Sequence, residues 1–121
     1  MIYQHYKGGI YFLIGSAHPI GNFKNVEHVE SVYMANLITE DGFVEAPVAT
    51  IKDLRTDYQC YVIQSKQAIG TYILYRGLNG QLWLRQKSDF YAMLNDGTPR
   101  FKPLKAAEIF ALMSQNTVVE N

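Results

Sequence analysis

The chain has one cysteine, Cys60, among its 121 residues. No intramolecular disulfide can form. The flanking Tyr58, Tyr61, Val62 and Ile63 suggest a strand in which Cys60 is a small apolar residue. Net charge is absent too, with 11 basic against 11 acidic residues. That balance argues against a general nucleic-acid coat, which needs a net basic surface, and it slightly favours self-association. No apolar run approaches a membrane span, and nothing resembles a signal peptide, so a cytoplasmic location is the expectation. There is no fixed-period repeat, low-complexity tract or linker. One domain over residues 1–121 is therefore expected, with a core large enough to need no staples.

Catalytic motifs are also missing. There is no G-x-S-x-G elbow, Walker loop or paired-histidine hydrolase motif. His5, His18 and His28 match no standard zinc spacing, and no cysteine pair assists them. One histidine acting as a general base in a hydrolase is the enzyme alternative, since imidazole titrates near neutrality. The expectation is a non-catalytic binder with no cofactor and no metal.

What is abundant is aromatic: nine Tyr, six Phe and one Trp. These concentrate in two blocks that also carry cations. The first is Y-Q-H-Y-K-G-G-x-Y, from Tyr3 to Tyr11. The second is Y-R-x-L, then L-W-L-R, then F, then D-G-x-P-R-F, from Tyr75 to Phe101. Such a mixture stacks a flat ring and neutralises an anion.

The pattern along the chain is mostly extended. Gly8-Gly9 is a turn signal before a buried strand over 10–17, and His18-Pro19 reads as a break. Residues 23–29 read as loop. Strands are expected over 31–39 and 43–50, joined at Asp41-Gly42, with Pro47 marking an edge or bulge. A helical turn follows over 51–55, then strands over 58–64 and 71–76. Asn79-Gly80 signals a hairpin into 81–85, placing Leu82 and Leu84 on one face and Trp83 and Arg85 on the other. Ser88 can cap a helix over 89–94. A closing strand over 100–102 precedes a helix over 103–116, with Pro103 in its first turn. Its stripe of Ala106, Ile109, Phe110 and Met113 suits either the chain's own sheet or a twin helix across a two-fold axis. The sum is an α+β fold: a small antiparallel sheet or curled β-barrel with a short helix and a C-terminal helix.

The two blocks resemble a small bacterial and phage domain family without an assigned activity. That family carries Y-x-H-Y-K-G-x-x-Y, A-x-H-T-E, V-Y-x-x-L, W-x-R-P-x-x-M-F and D-G-x-x-x-P-R-F. The matching residues are Tyr3, His5, Tyr6, Lys7, Gly8 and Tyr11, then Ala17 and His18. Tyr75, Leu78, Trp83, Arg85 and Phe90 follow, and Asp96, Gly97, Pro99, Arg100 and Phe101 complete the set. Pro19-Ile20 replaces the family's Thr-Glu, and Gln86 replaces its proline. Residues 19–70 stand where the family has a short connection, so they read as a strand-rich insertion.

In architecture the chain resembles the phage Thoeris anti-defence sponges. That likeness implies a homo-oligomer in an infected bacterial cell, sequestering a cyclic ADP-ribose isomer or cyclic nucleotide without cleaving it. Such a ligand needs an aromatic platform and Arg forks. Trp83 and Arg85 supply that pair, with Arg76 beside them across the hairpin. Tyr6, Lys7 and Arg100 converge from the other blocks, and Asn95 reads an adenine edge. Each has a plainer role available: Trp83 in packing, Arg85 in an ion pair with Asp89 or Asp96, Arg100 on a carboxylate, Tyr6 in the sheet. The alternative binder is a protein- or single-strand nucleic-acid module on an SH3-like or OB-like barrel.

Overall fold

The computed structural model describes residues 1–20, 29–52 and 59–120, with side chains through residue 114. Alternating polar and apolar residues set up eight strands: β1 (Ile2–His5), β2 (Ile10–Pro19), β3 (Val29–Thr39), β4 (Gly42–Lys52), β5 (Gln59–Ile63), β6 (Tyr72–Gly77), β7 (Leu82–Gln86) and β8 (Phe101–Pro103). Two helices join them, α1 (Lys87–Phe90) and α2 (Ala106–Glu120).

The strands run in the order β5-β4-β3-β7-β6-β2-β1-β8, and β5 also pairs with β2. That last pairing closes six of them into a barrel. Two joins are parallel: Ala17–Tyr61 through Pro19–Ile63 in β2–β5, and Asn36–Trp83 with Leu37–Leu84 in β3–β7. The expected antiparallel sheet is thus corrected to a mixed one. The reason is topological, because β3 and β7 are not chain neighbours and no hairpin dictates their sense. Residues 19–70 supply β3, β4 and β5, half of the barrel wall.

The barrel is filled by the inward residues of alternating strands. Leu37, Ile63, Leu84 and Val48 are fully buried there, each worth about 1.5–3 kcal/mol by apolar burial. Ala17, Ala35 and Ala46 keep the narrow interior from overfilling. A second core lies outside the wall. Ile73 and Tyr75 of β6 face away from Leu74 and are covered by Tyr3, Phe90 and Phe101. Phe90 stacks on Phe101 with centroids 4.2 Å apart, and Tyr3 meets Phe90 edge-on at 5.3 Å.

Local turn chemistry holds where expected. Gly8 has φ of +103°, and a β-carbon at Gly9 would lie 3.0 Å from the Tyr11 ring. The first glycine thus serves the turn and the second makes room for an aromatic. Several boundaries differ. His18 and Pro19 continue β2, held by the β5 pairing, and do not break it. Residue 29 already belongs to β3, and Ile51 and Lys52 extend β4; the remainder of the expected loop and helical turn lies outside the described residues. Pro47 sits inside β4 where β5 ends opposite Val48, so its missing N–H interrupts no bond to β5. Ser88 does not cap α1; the cap position is Gln86, with no side-chain bond, and the helix stops at Phe90. Pro103 belongs to β8, pairing with Tyr3, so α2 starts later and runs past Asn116. No described helix is long and apolar enough to cross a membrane.

Candidate functional site

The hairpin register decides which candidate residues meet. Tyr75 pairs with Trp83 and Ile73 with Arg85, so all four share the outer face. Arg76 pairs with Leu82, whose side chain packs against the barrel core. Strand alternation therefore turns Arg76 to the opposite face. The expectation that it stands beside Trp83 and Arg85 is corrected on that ground.

Arg85 is the organising residue. It is a half-buried cation, 16% exposed, and its Nη1 lies 2.7 Å from Asp89 Oδ2. Its Nε donates to the Tyr75 hydroxyl at 3.4 Å, and its guanidinium lies 5.6 Å from the centre of the Phe101 ring. Burial works against its charge, yet the Tyr75 hydroxyl and Asp89 together raise its pKa above the usual arginine value. Burial likewise pushes the Tyr75 hydroxyl up.

Arg100 shares the same carboxylate, with Nη2 3.4 Å from Asp89 Oδ1. Its Nε is buried and has no hydrogen-bond partner among the described residues. Two guanidiniums on one carboxylate leave net positive charge. Lys7 adds to it from the first block, with Nζ 5.7 Å from the centre of the exposed Tyr6 ring. His5 lies among these cations. Its ring contacts Tyr6 at 4.5 Å and Phe101 at 4.9 Å, and its Nδ1 accepts the Lys7 amide at 3.3 Å. Burial first, then the charges of Arg85, Arg100 and Lys7, hold its pKa below the usual histidine value.

Tyr6, Lys7, Arg85 and Arg100 therefore converge, through the β1–β8 pairing and the Tyr6 amide bond to the Arg100 carbonyl at 2.9 Å. Trp83 is half-buried further along, against Phe43 at 5.3 Å. Asn95 is exposed in a turn closed by the Leu94 amide on the Thr98 carbonyl. His18 is exposed on β2 and His28 lies outside the described residues. Among the described residues no three His, Cys, Asp or Glu side chains are grouped to hold a metal. Cys60 is half-buried in β5.

An open cleft of about 690 Å³ adjoins this cluster at the barrel mouth. It is lined by Arg85, Gln86 and Asp89 from the β7–α1 junction and by Phe43 and the acidic turn Glu40–Asp41 of the β3–β4 hairpin. Gln67 and Tyr72 lie along the same cleft. The two glutamines, Phe43 and the acids were not singled out in the sequence. Only Phe43 carried a signal, an apolar residue directly after a hairpin turn. Two of the five guanidinium donors of Arg85 are engaged by Asp89 and Tyr75. The site thus combines an aromatic face, two side-chain amides and a partly compensated cation. No family model, curated protein or solved structure matches the chain.

Proposed function

We propose that this protein is a non-catalytic binder that sequesters a nucleotide-derived small molecule, of the cyclic ADP-ribose or cyclic nucleotide class, as a phage anti-defence sponge would. The observation that carries the binding reading is the convergence of Arg85 and Arg100 on one carboxylate beside the 690 Å³ cleft. That volume lies within the range of small-molecule sites. Phe43 supplies a ring face, Gln67 and Gln86 supply donor–acceptor amides for a base edge, and Arg85 supplies an anchor for one phosphate. Glu40 and Asp41, which line the same cleft, disfavour a ligand that presents several phosphates to it at once. A compact cyclic ligand, with its charge directed to Arg85, meets that constraint better than a polymer does. The anti-defence role rests on the architectural resemblance.

The test mixes purified protein with cyclic ADP-ribose isomers and cyclic dinucleotides and follows binding by calorimetry. Heat denaturation then releases whatever was held. Recovery of intact ligand, and loss of binding in Arg85→Ala, are the expected results. A cleaved product would make the protein an enzyme. Binding undisturbed by Arg85→Ala would remove the site.

The single-strand module keeps one specific support, the exposed Tyr6 ring with Lys7 beside it. Tight single-strand binding with a steep salt dependence, lost in Tyr6→Ala, would favour that reading over the first.

A further inference from the structure

β3 and β7 pair only at Asn36–Trp83 and Leu37–Leu84, and they part on the side where β7 begins. A notch of about 350 Å³ opens in that fork. Its volume is at the small end of the range for ligand sites. It takes the Gln81–Leu82 end of β7, whereas the cleft described above takes the Arg85–Gln86 end. Residues paired across two strands share a face. Tyr33 pairs with Val48, which is buried inside the barrel, and Leu82 packs on the same core. These two reach the notch from the inner face. Asn36 pairs with Glu45, and alternation puts Met34 on their side, so these three reach it from the outer face.

The chemistry of the notch is the reverse of the cleft's. Glu45 is the one charged side chain that lines it. Glu45 is exposed and has no ion pair or hydrogen bond to a described residue. The half-buried Asn36 amide beside it likewise has no side-chain hydrogen bond among the described residues. Arg76, which pairs with Leu82, does not line the notch. The Tyr33 ring is 50% exposed and Met34 55%. An aromatic face attracts a cation, and a thioether adapts its shape to an apolar body. Among the described residues no three His, Cys, Asp or Glu side chains are grouped as metal ligands, so a single carboxylate here suits an organic ammonium. We propose that the β3–β7 fork binds a small organic cation, a primary ammonium carried on an apolar or aryl body. The ammonium lies between the Glu45 carboxylate and the Asn36 amide oxygen, and the body lies against Tyr33, Met34 and Leu82.

Titration of the full chain with phenethylammonium chloride, followed by calorimetry and by amide NMR, tests this. Saturable binding at one site per chain is expected, with the amides of Tyr33, Asn36 and Gln81 shifting. The neutral 2-phenylethanol and the anionic 3-phenylpropionate are expected to bind more weakly. Glu45→Gln is expected to weaken phenethylammonium binding about fivefold, the upper limit for an exposed charge pair. Its unfolding midpoint is expected to stay at the wild-type value, because Glu45 is exposed. Tyr33→Leu keeps an apolar side chain without the ring face and is expected to weaken binding about two- to fivefold. The proposal fails if phenethylammonium does not saturate, or if 2-phenylethanol binds equally well. It fails equally if Glu45→Gln keeps wild-type affinity. Shifts confined to Glu40, Asp41 and Phe43 would place the amine on the acids of the other cleft and overturn it as well.

Discussion

Arg85 and Asp89 meet at 2.7 Å, four residues apart, across the junction where β7 passes into α1. Asp89 lies between two guanidiniums, since Arg100 reaches its other oxygen at 3.4 Å. Removing one partner of a buried pair costs about 3–5 kcal/mol, and an exposed pair is worth about 0–1. With Asp89 39% exposed and Arg85 16%, the cost falls between these limits. Asp89→Asn is expected to lower unfolding stability by about 1–2 kcal/mol in urea titration. It is also expected to tighten binding of a phosphate-bearing ligand, because a competing carboxylate is lost. A variant that binds such a ligand more weakly would show that Asp89 shapes the site and does not compete for it.

The outer core rests on Phe90. It is fully buried, stacked on Phe101 and in edge contact with Tyr3. Truncating a buried Phe costs about 3–5 kcal/mol. Phe90→Ala is expected to lose that much in denaturant titration and to release the segment carrying Arg100, weakening ligand binding as well. Phe90→Leu, which keeps most of the volume, is expected to recover much of the stability. Equal losses in both variants would point to the ring geometry and not to the cavity.

What the sequence made legible was local. The Asn79-Gly80 turn forced the β6–β7 hairpin, and from it followed the outward aim of Trp83 and Arg85. The Arg85–Asp89 pair was visible as one of two plain alternatives for Arg85. Arg76 is near Trp83 along the hairpin, yet proximity across strands does not fix a shared face, and the register Arg76↔Leu82 puts it on the other side. The cleft was not legible at all. It needs Phe43 and Asp41 beside Gln86, and that proximity comes from the parallel β3–β7 join between strands distant in the chain. No periodicity or turn residue encodes such a join. The C-terminal stripe suits either the chain's own sheet or a twin helix, and Phe110, 66% exposed, is not packed on the sheet.

His5 gives stability a pH dependence of predictable sign. Tyr6, Lys7, Tyr11, Arg85, Arg100 and Phe101 surround it, and the folded protein favours its neutral form. Its folded pKa therefore lies below its unfolded value of about 6.5. The unfolded chain binds more protons between those two values, so stability rises with pH there. The contribution is fully present above the unfolded value and is lost as pH falls through the folded one. Wild-type stability is expected to decline as pH falls below about 6.5. His5→Asn, which retains an acceptor for the Lys7 amide, is expected to flatten that decline. An unchanged profile would assign the decline to other groups.

Phe43 and Trp83 meet edge-to-face, with ring centroids 5.3 Å apart at 74°. Phe43 lines the cleft and Trp83, the chain's one tryptophan, lies behind it. Intrinsic fluorescence thus reports on one wall of the proposed site. Phe43→Ala uncovers the indole, and its emission is expected to shift to the red without ligand. A ligand ring seated on Phe43 is expected to change the wild-type emission on binding. Base–aromatic stacking is worth about 1–3 kcal/mol, and about 1.4 kcal/mol is tenfold in affinity, so Phe43→Ala is expected to weaken binding by roughly an order of magnitude. Gln67→Ala supplies the independent check, since Gln67 lies along the same cleft and leaves the indole covered. Weaker binding in both variants locates the ligand between Phe43 and Gln67. Full affinity in both, with silent tryptophan emission, moves it to the Tyr6 and Lys7 face, where Tyr6→Ala would then be the substitution that matters.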